Sequence, residues 1–284
     1  MTPAVAVLLG LLVAISYGAA DFLGGVASRR VPAALVVQQT QLLGVALLLV
    51  MLAVVPDQHV IGADMARGAG AGMGGLLGLV LLYRGLAVGA MSIVAPITAV
   101  GAAVLPVGWG LATGERPGAV ALAGVVIALV AVAFVATPAT EDAAPIEGRR
   151  REILLALLAG CGFGVVFILF GDTSKASGMW PLLSARVAST IVVTAALLAR
   201  GVALGVRKDT ARIFAAIGVL DVTANALFIL GARIGLVSLV AVLSSLYPAA
   251  TVVLARVVLD ERVSRRQAVG LVLAVVGVIL IAAS

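Results

Sequence analysis

Residues Gly231 to Gly270 read G-A-R-I-G-L-V-S-L-V-A-V-L-S-S-L-Y-P-A-A-T-V-V-L-A-R-V-V-L-D-E-R-V-S-R-R-Q-A-V-G. This is an apolar run, a charged turn (Asp260, Glu261, Arg262) and the start of a second apolar run. The pattern stands 146 positions earlier as well. Gly85 matches Gly231, Gly89 matches Gly235, Ser92 matches Ser238, Glu115-Arg116 matches Glu261-Arg262, and Gly124 matches Gly270. Aligned without a gap, residues 85–135 and 231–281 are identical at 14 of 51 positions. A rough chance expectation is less than half of that, so the chain reads as a duplication.

Composition sets the class. Of 284 residues, 63% are hydrophobic and only 11% charged, with a mean hydropathy of +1.24. Soluble domains average ~25% charged residues. The apolar runs are mostly of the length that a ~30 Å bilayer core demands of a helix. The expected class is an all-α polytopic membrane protein. The net charge of +6 does not indicate nucleic acid, because the basic residues sit in short loops without interleaved aromatics. Anchoring to lipid headgroups accounts for them. One cysteine (Cys161) and one histidine (His59) exclude an internal disulfide and the usual zinc or haem sites, so no metal or cofactor is expected. The first apolar run lacks a basic n-region and is read as a retained helix.

Ten apolar segments are expected, at 4–25, 33–55, 66–84, 91–113, 118–136, 152–171, 181–200, 210–232, 236–258 and 266–283. Thr137 to Arg151 carries two prolines, three acids and Arg149-Arg150-Arg151, the composition of a linker. It separates a first repeat, 1–136, from a second, 152–284. Five helices per repeat is an odd number. The second copy therefore enters the membrane upside down, as an inverted-topology repeat. Small-residue stripes (Ala66, Gly70, Gly74, Gly78; Gly124, Ala128; Gly270, Ala274, Gly277) suit close helix packing in lipid. Ser264 to Gln267 fits a capping box, and Pro117 suits a first helical turn.

These residues resemble the drug/metabolite transporter superfamily, in its ten-helix branch with two EamA-type repeats. The resemblance rests on the G-x-x-S turns Gly89–Ser92 and Gly235–Ser238, the run Ser245–Pro248, and the Glu-Arg hairpins at 115–116 and 261–262 with their following glycines. It implies a transporter and leaves the substrate open among amino acids, other metabolites, nucleotide sugars and drugs. Family members commonly start the second helix of each repeat with proline then arginine. Pro181 to Arg186 fits; after Pro32 the arginine is absent.

Charges within apolar helices cost ~2.5–3.5 kcal/mol at the bilayer centre and usually face a cavity or a partner. Asp221 and Asn225 lie four apart on one face of the eighth segment, with Phe228 extending it. They read as a functional face or as interhelical glue. Asp21, with Tyr17 on its face, reads either as a cavity group or as an interfacial partner of Arg29 and Arg30. Gln38 and Gln41 share a face in a run of three glutamines and a threonine. Arg186 would attract an anionic group or neutralise Asp21 or Asp221, or else snorkel. Pro96 with Thr98, and Ser244 and Ser245 with Tyr247 and Pro248, mark broken helices of the kind that bind substrate, or tolerated kinks. Glu115 and Glu261 read as loop ion pairs fixing their turns. No nucleotide loop is present: G-A-G-A-G-M-G-G at 68–75 lies in a membrane helix.

The expected function is a secondary active transporter in the plasma membrane, not an enzyme. It would move a small polar metabolite such as an amino acid or drug outward by alternating access. Tyr17, Asp21, Gln38, Gln41, Arg186, Asp221, Asn225, Ser244 and Tyr247 would line the substrate site, with Asp221 coupling a proton. The expected partners are the substrate and the lipid bilayer, with a homodimer open and no nucleic acid. A lipid flippase or a non-transport membrane protein is the alternative. In a ten-helix threading, 14 of the 19 Lys and Arg fall on one face. Positive-inside would place that face in the cytoplasm and both termini outside, whereas the resemblance implies cytoplasmic termini.

Overall fold

A computed structural model describes residues 3–54, 59–112, 114, 118–135, 146–205, 208–233, 247–261 and 263–282. Among them are ten α-helices, one 3-10 turn and no strand. The helices are α1 (Pro3–Ser28), α2 (Ala33–Val54), α3 (Gly62–Val88), α4 (Met91–Ala112), α5 (Ala119–Val135), α6 (Ile146–Gly171), α7 (Trp180–Ala199), α8 (Lys208–Arg233), α9 (Tyr247–Leu259) and α10 (Arg265–Ala282). By length and composition, α1, α2, α3, α6 and α7 each carry a stretch able to cross a membrane. The all-helical membrane class is as expected. Boundaries move at two helices: α3 runs four residues beyond the expected 66–84 at each end, and α6 begins at Ile146, so Arg149 to Arg151 ride on its first turns instead of in a linker. Glu115, Arg116, Pro117, Arg262, Gly235, Ser238, Ser244 and Ser245, with most of the linker, lie outside the described residues.

The helices present apolar side chains outward as well as inward. Leu8, Ile15, Val50, Val126, Phe167, Ile191 and Val257 are exposed, as a lipid-facing surface requires. The inner core joins both parts of the chain: Phe22, Val36, Leu82, Leu86, Met91, Ile97, Ala156, Ile217 and Ala255 form one cluster. Glycine sets how close the helices come. Gly70, Gly74 and Gly78 meet Leu169, Val165 and Phe163 of α6, so the expected stripe packs α3 on α6. A second stripe went unread in the sequence. Side chains at Gly68 and Gly72 would strike the backbone of Pro181 and Ala185, so α3 also lies backbone to backbone on α7. Gly101 and Gly160 bring α4 against α6 in the same manner.

The packed helix pairs have a pattern. α3 packs on α6 and α1 on α8; α4 on α6 and α1 on α9; α3 on α7 and α2 on α8. α2 meets α7, α4 meets α9, and α5 meets α10. Two helix ends are closed by left-handed residues. α7 ends at Ala199, and Gly201 beyond it takes a φ of +67°, which lets the Val202 N–H reach the Leu197 carbonyl (3.0 Å). At the end of α9, Asp260 takes φ +53° and the Glu261 N–H reaches Ala255 O (3.3 Å). The capping box forms as expected at the start of α10. Ser264 N–H donates to Gln267 Oε1 (2.9 Å), and Gln267 N–H to Ser264 Oγ (3.1 Å).

Candidate functional site

Arg186, two turns into α7, points inward between α2 and α8. Its Nη2 meets Asp221 Oδ2 at 2.6 Å and its Nη1 donates to Gln41 Oε1 at 2.8 Å. Asn225, one turn on from Asp221, donates from Nδ2 to the Asp221 carbonyl (2.7 Å). The side chains of Arg186 and Asp221 are only 14% and 22% exposed. A charge-assisted network of this kind holds its members in fixed geometry. It spans three helices, with Gln41 from the first half of the chain and the others from the second.

Asp21 of α1 lies within electrostatic reach of Asp221 and also of Tyr17, Tyr83 and Tyr247. These are all the tyrosines the chain has. Tyr83 is buried with its ring against Gly24, one turn from Asp21. Tyr17, Asp21, Asp221, Asn225 and Tyr247 keep partial exposure, so the cluster is not sealed. Among the described residues Asp21 forms no ion pair, and Arg29 and Arg30 are exposed. The cluster therefore holds two carboxylates against one guanidinium, which Asp221 already neutralises.

The four-residue polar run of α2 divides its work. Gln41 joins Arg186. Gln38 is 2% exposed and its Oε1 has no partner. Gln39 turns away to the Leu204 carbonyl (2.8 Å), and Thr40 bonds back to Val37 O (3.0 Å). Ser189 likewise bonds to the carbonyl of Arg186 (3.1 Å). Thr98 is fully buried and donates to Ala156 O (3.2 Å), which ties α4 to α6. Pro96 and Pro248 line a crevice of about 290 Å³ between α4, α9 and α10, walled by Ala99, Val252, Leu271 and Val275. Its lining is apolar and shares no residue with the charged cluster.

Two polar clusters sit at opposite ends of the bundle, joined by the length of α3. At the start of α3, Asp64 is 2% exposed. It accepts the Ser174 N–H (2.9 Å) and the Ser177 hydroxyl (2.5 Å) from the α6–α7 connection, and pairs with Arg67 (3.0 Å). At the other end Glu261 accepts the N–H groups of Met91 (2.8 Å) and Ser92 (3.0 Å). The carboxylate of Glu261 caps a helix of the other half, a role the sequence did not suggest; the expected pairing with Arg262 lies outside the described residues. Tyr83 was also missed, and the scarcity of tyrosine was the signal that could have found it.

Residues 150–283 match the EamA-like transporter family, part of the drug/metabolite transporter superfamily. No curated protein matches the chain. A solved structure described only as "Crystal structure of protein" superposes with a TM-score of 0.66 at 15% identity. The match covers 98% of this chain and 96% of that one, so the two share a fold.

Proposed function

On the premise that its second half is an EamA-like transporter domain, we propose that this membrane protein is a secondary transporter for small polar solutes bearing an amino group. The carrying observation is Asp21. It is a carboxylate at the heart of the bundle, partly exposed, within electrostatic range of three tyrosines, and without a counter-charge among the described residues. A positive solute group placed there would gain an ion pair and aromatic faces together. Arg186, held by Asp221 and Gln41, would meet a solute carboxylate if the network opened. Gln38, with an unpartnered oxygen, offers an acceptor beside them. Because Asp221 is already paired, Asp21 suits proton exchange better than Asp221 does.

Alternating access by two inverted halves fits the packing pattern. Exchanging α1–α5 with α6–α10 turns α3 on α6 into α1 on α8, α4 on α6 into α1 on α9, and α3 on α7 into α2 on α8. The pairs α2 with α7, α4 with α9 and α5 with α10 map onto themselves. Among the described residues the crevice between α4, α9 and α10 is lined by apolar side chains, which do not suit a lipid headgroup. The test is uptake by proteoliposomes of a radiolabelled amino-acid and amine panel under an imposed pH gradient. Gradient-driven uptake that Asp21→Asn abolishes is expected. Uptake equal to protein-free vesicles for every compound would sink the proposal.

A further inference from the structure

The N-terminus of α4 is gripped from across the molecule. The first N–H groups of any helix lack intrahelical partners and favour negative charge. In α4 these donors go to two carboxylates of the other half. Met91 and Ser92 donate to the two oxygens of Glu261 (2.8 and 3.0 Å), and Ala90 donates to Glu152. Gly89 makes room for this: a Cβ there would lie 2.6 Å from Glu152 Cγ. Arg149 stands within electrostatic range of Glu152. Glu261 follows the left-handed Asp260 and precedes the Ser264–Gln267 capping box.

We propose that Glu261 and Glu152 form a latch that holds this end of the bundle shut. The latch rests on the transport reading above. The three bonds run between the halves, so any motion that parts the halves here must break them together. Once parted, both carboxylates meet water, which solvates them well. The latch is repeated only in part. Glu261 has its counterpart in Glu115, whereas Glu152 falls, 146 positions earlier, on Ala6, and Asp64 at the opposite end falls on Thr210. The Glu152 bond and the Asp64 cluster are thus particular to their own ends.

The test reads opening as thiol exposure. In a Cys161→Ser background, Ser92→Cys places a thiol at a position that is 1% exposed, with its side-chain oxygen unpartnered. Leu48→Cys, packed on Met179 and Leu183, reports on the opposite end. The full-length protein in proteoliposomes is treated with a membrane-impermeant maleimide. Glu261→Gln removes a charged acceptor, and Gly89→Ala pushes Glu152 aside without removing charge. Each is expected to raise labelling of the thiol at position 92 about tenfold, the effect of losing a bond to an ionised group. Labelling at position 48 is expected to stay level or fall, and Glu261→Asp to restore part of the protection. Unchanged labelling at position 92 in both variants overturns the latch, and so does an equal rise at both positions, which is general loosening. Wild-type uptake is measured in parallel. Uptake without a labelling response removes the latch alone, whereas a response without any uptake removes the transport reading.

Discussion

At the scale of single residues, Arg186 is the side chain on which the site turns. It holds Asp221 at 2.6 Å and Gln41 at 2.8 Å while largely buried. Breaking a buried pair by removing one partner costs about 3–5 kcal/mol, because the other charge is left stranded. Asp221→Asn is therefore expected to lower the unfolding temperature of the purified protein by about 10 °C. Replacing both partners, Arg186→Met with Asp221→Leu, is expected to recover most of that loss in the same melt. Asp21→Asn is expected to shift the melt little, since Asp21 has no ion pair among the described residues, yet to abolish amine uptake. If Asp21→Asn unfolds the protein as Asp221→Asn does, the division of roles between them fails. The sequence made half of this site readable. Asp221 and Asn225 announce themselves as polar groups one turn apart in an apolar helix, and Gln41 stands in a polar run. Tyr83 does not, since one aromatic among leucines looks like core. Glu261 was hidden for a different reason: a charged hairpin supplies its own explanation, and only the fold shows the helix end it faces.

At the scale of helices, the chain uses glycine as its fastening. Gly162 and Gly74 face each other across α6 and α3, each leaving a Cβ of the other less than 3 Å from backbone. Backbones must meet this closely in lipid because dispersion replaces the hydrophobic drive. Gly162→Val is expected to part α3 from α6 and to cost about 3 kcal/mol, the upper end for overpacking, read as a loss of folded protein in a detergent melt. Gly205→Ala, in open space beyond α7, is the control and is expected to be neutral. The period of four in Gly70, Gly74 and Gly78 was legible because a face shared at that spacing is geometry alone. Gly68 and Gly72 follow the same rule on nearly the opposite face of the helix, but a single apolar sequence does not say that two faces are in use. Helix ends were legible where side chains cap them, as Ser264 and Gln267 do. They were lost where charge was mistaken for a linker, as at Arg149 to Arg151 on α6.

At the scale of the whole molecule, the repeat read in the sequence carries more of the argument than single residues do. The identity of 14 in 51 positions tells that two halves are alike, and an odd helix count per half tells that they should be inverted. Neither says which helices touch, because nearly every face is apolar and no amphipathic stripe marks a partner. The exchange pattern of the packed pairs supplies that missing part, and a parallel or an inverted twofold would each give it. Inversion carries a topological consequence. The α1–α2 turn and the α6–α7 connection occupy equivalent places in the two halves, five helices apart. Inversion puts them on opposite faces of the membrane, whichever face is cytoplasmic. Arg30 and Ala176 are exposed at these places, and Ala176 makes its hydrogen bonds through its backbone N–H and carbonyl, so a cysteine at either disturbs little. In a Cys161→Ser background, an impermeant maleimide added outside sealed vesicles of one orientation is expected to label one of Arg30→Cys and Ala176→Cys and spare the other. Vesicles of the opposite orientation should reverse the choice. Labelling of both thiols from one side would mean that an even number of helices separates them, and the two halves would then repeat in parallel, leaving no pseudo-twofold axis about which to rock.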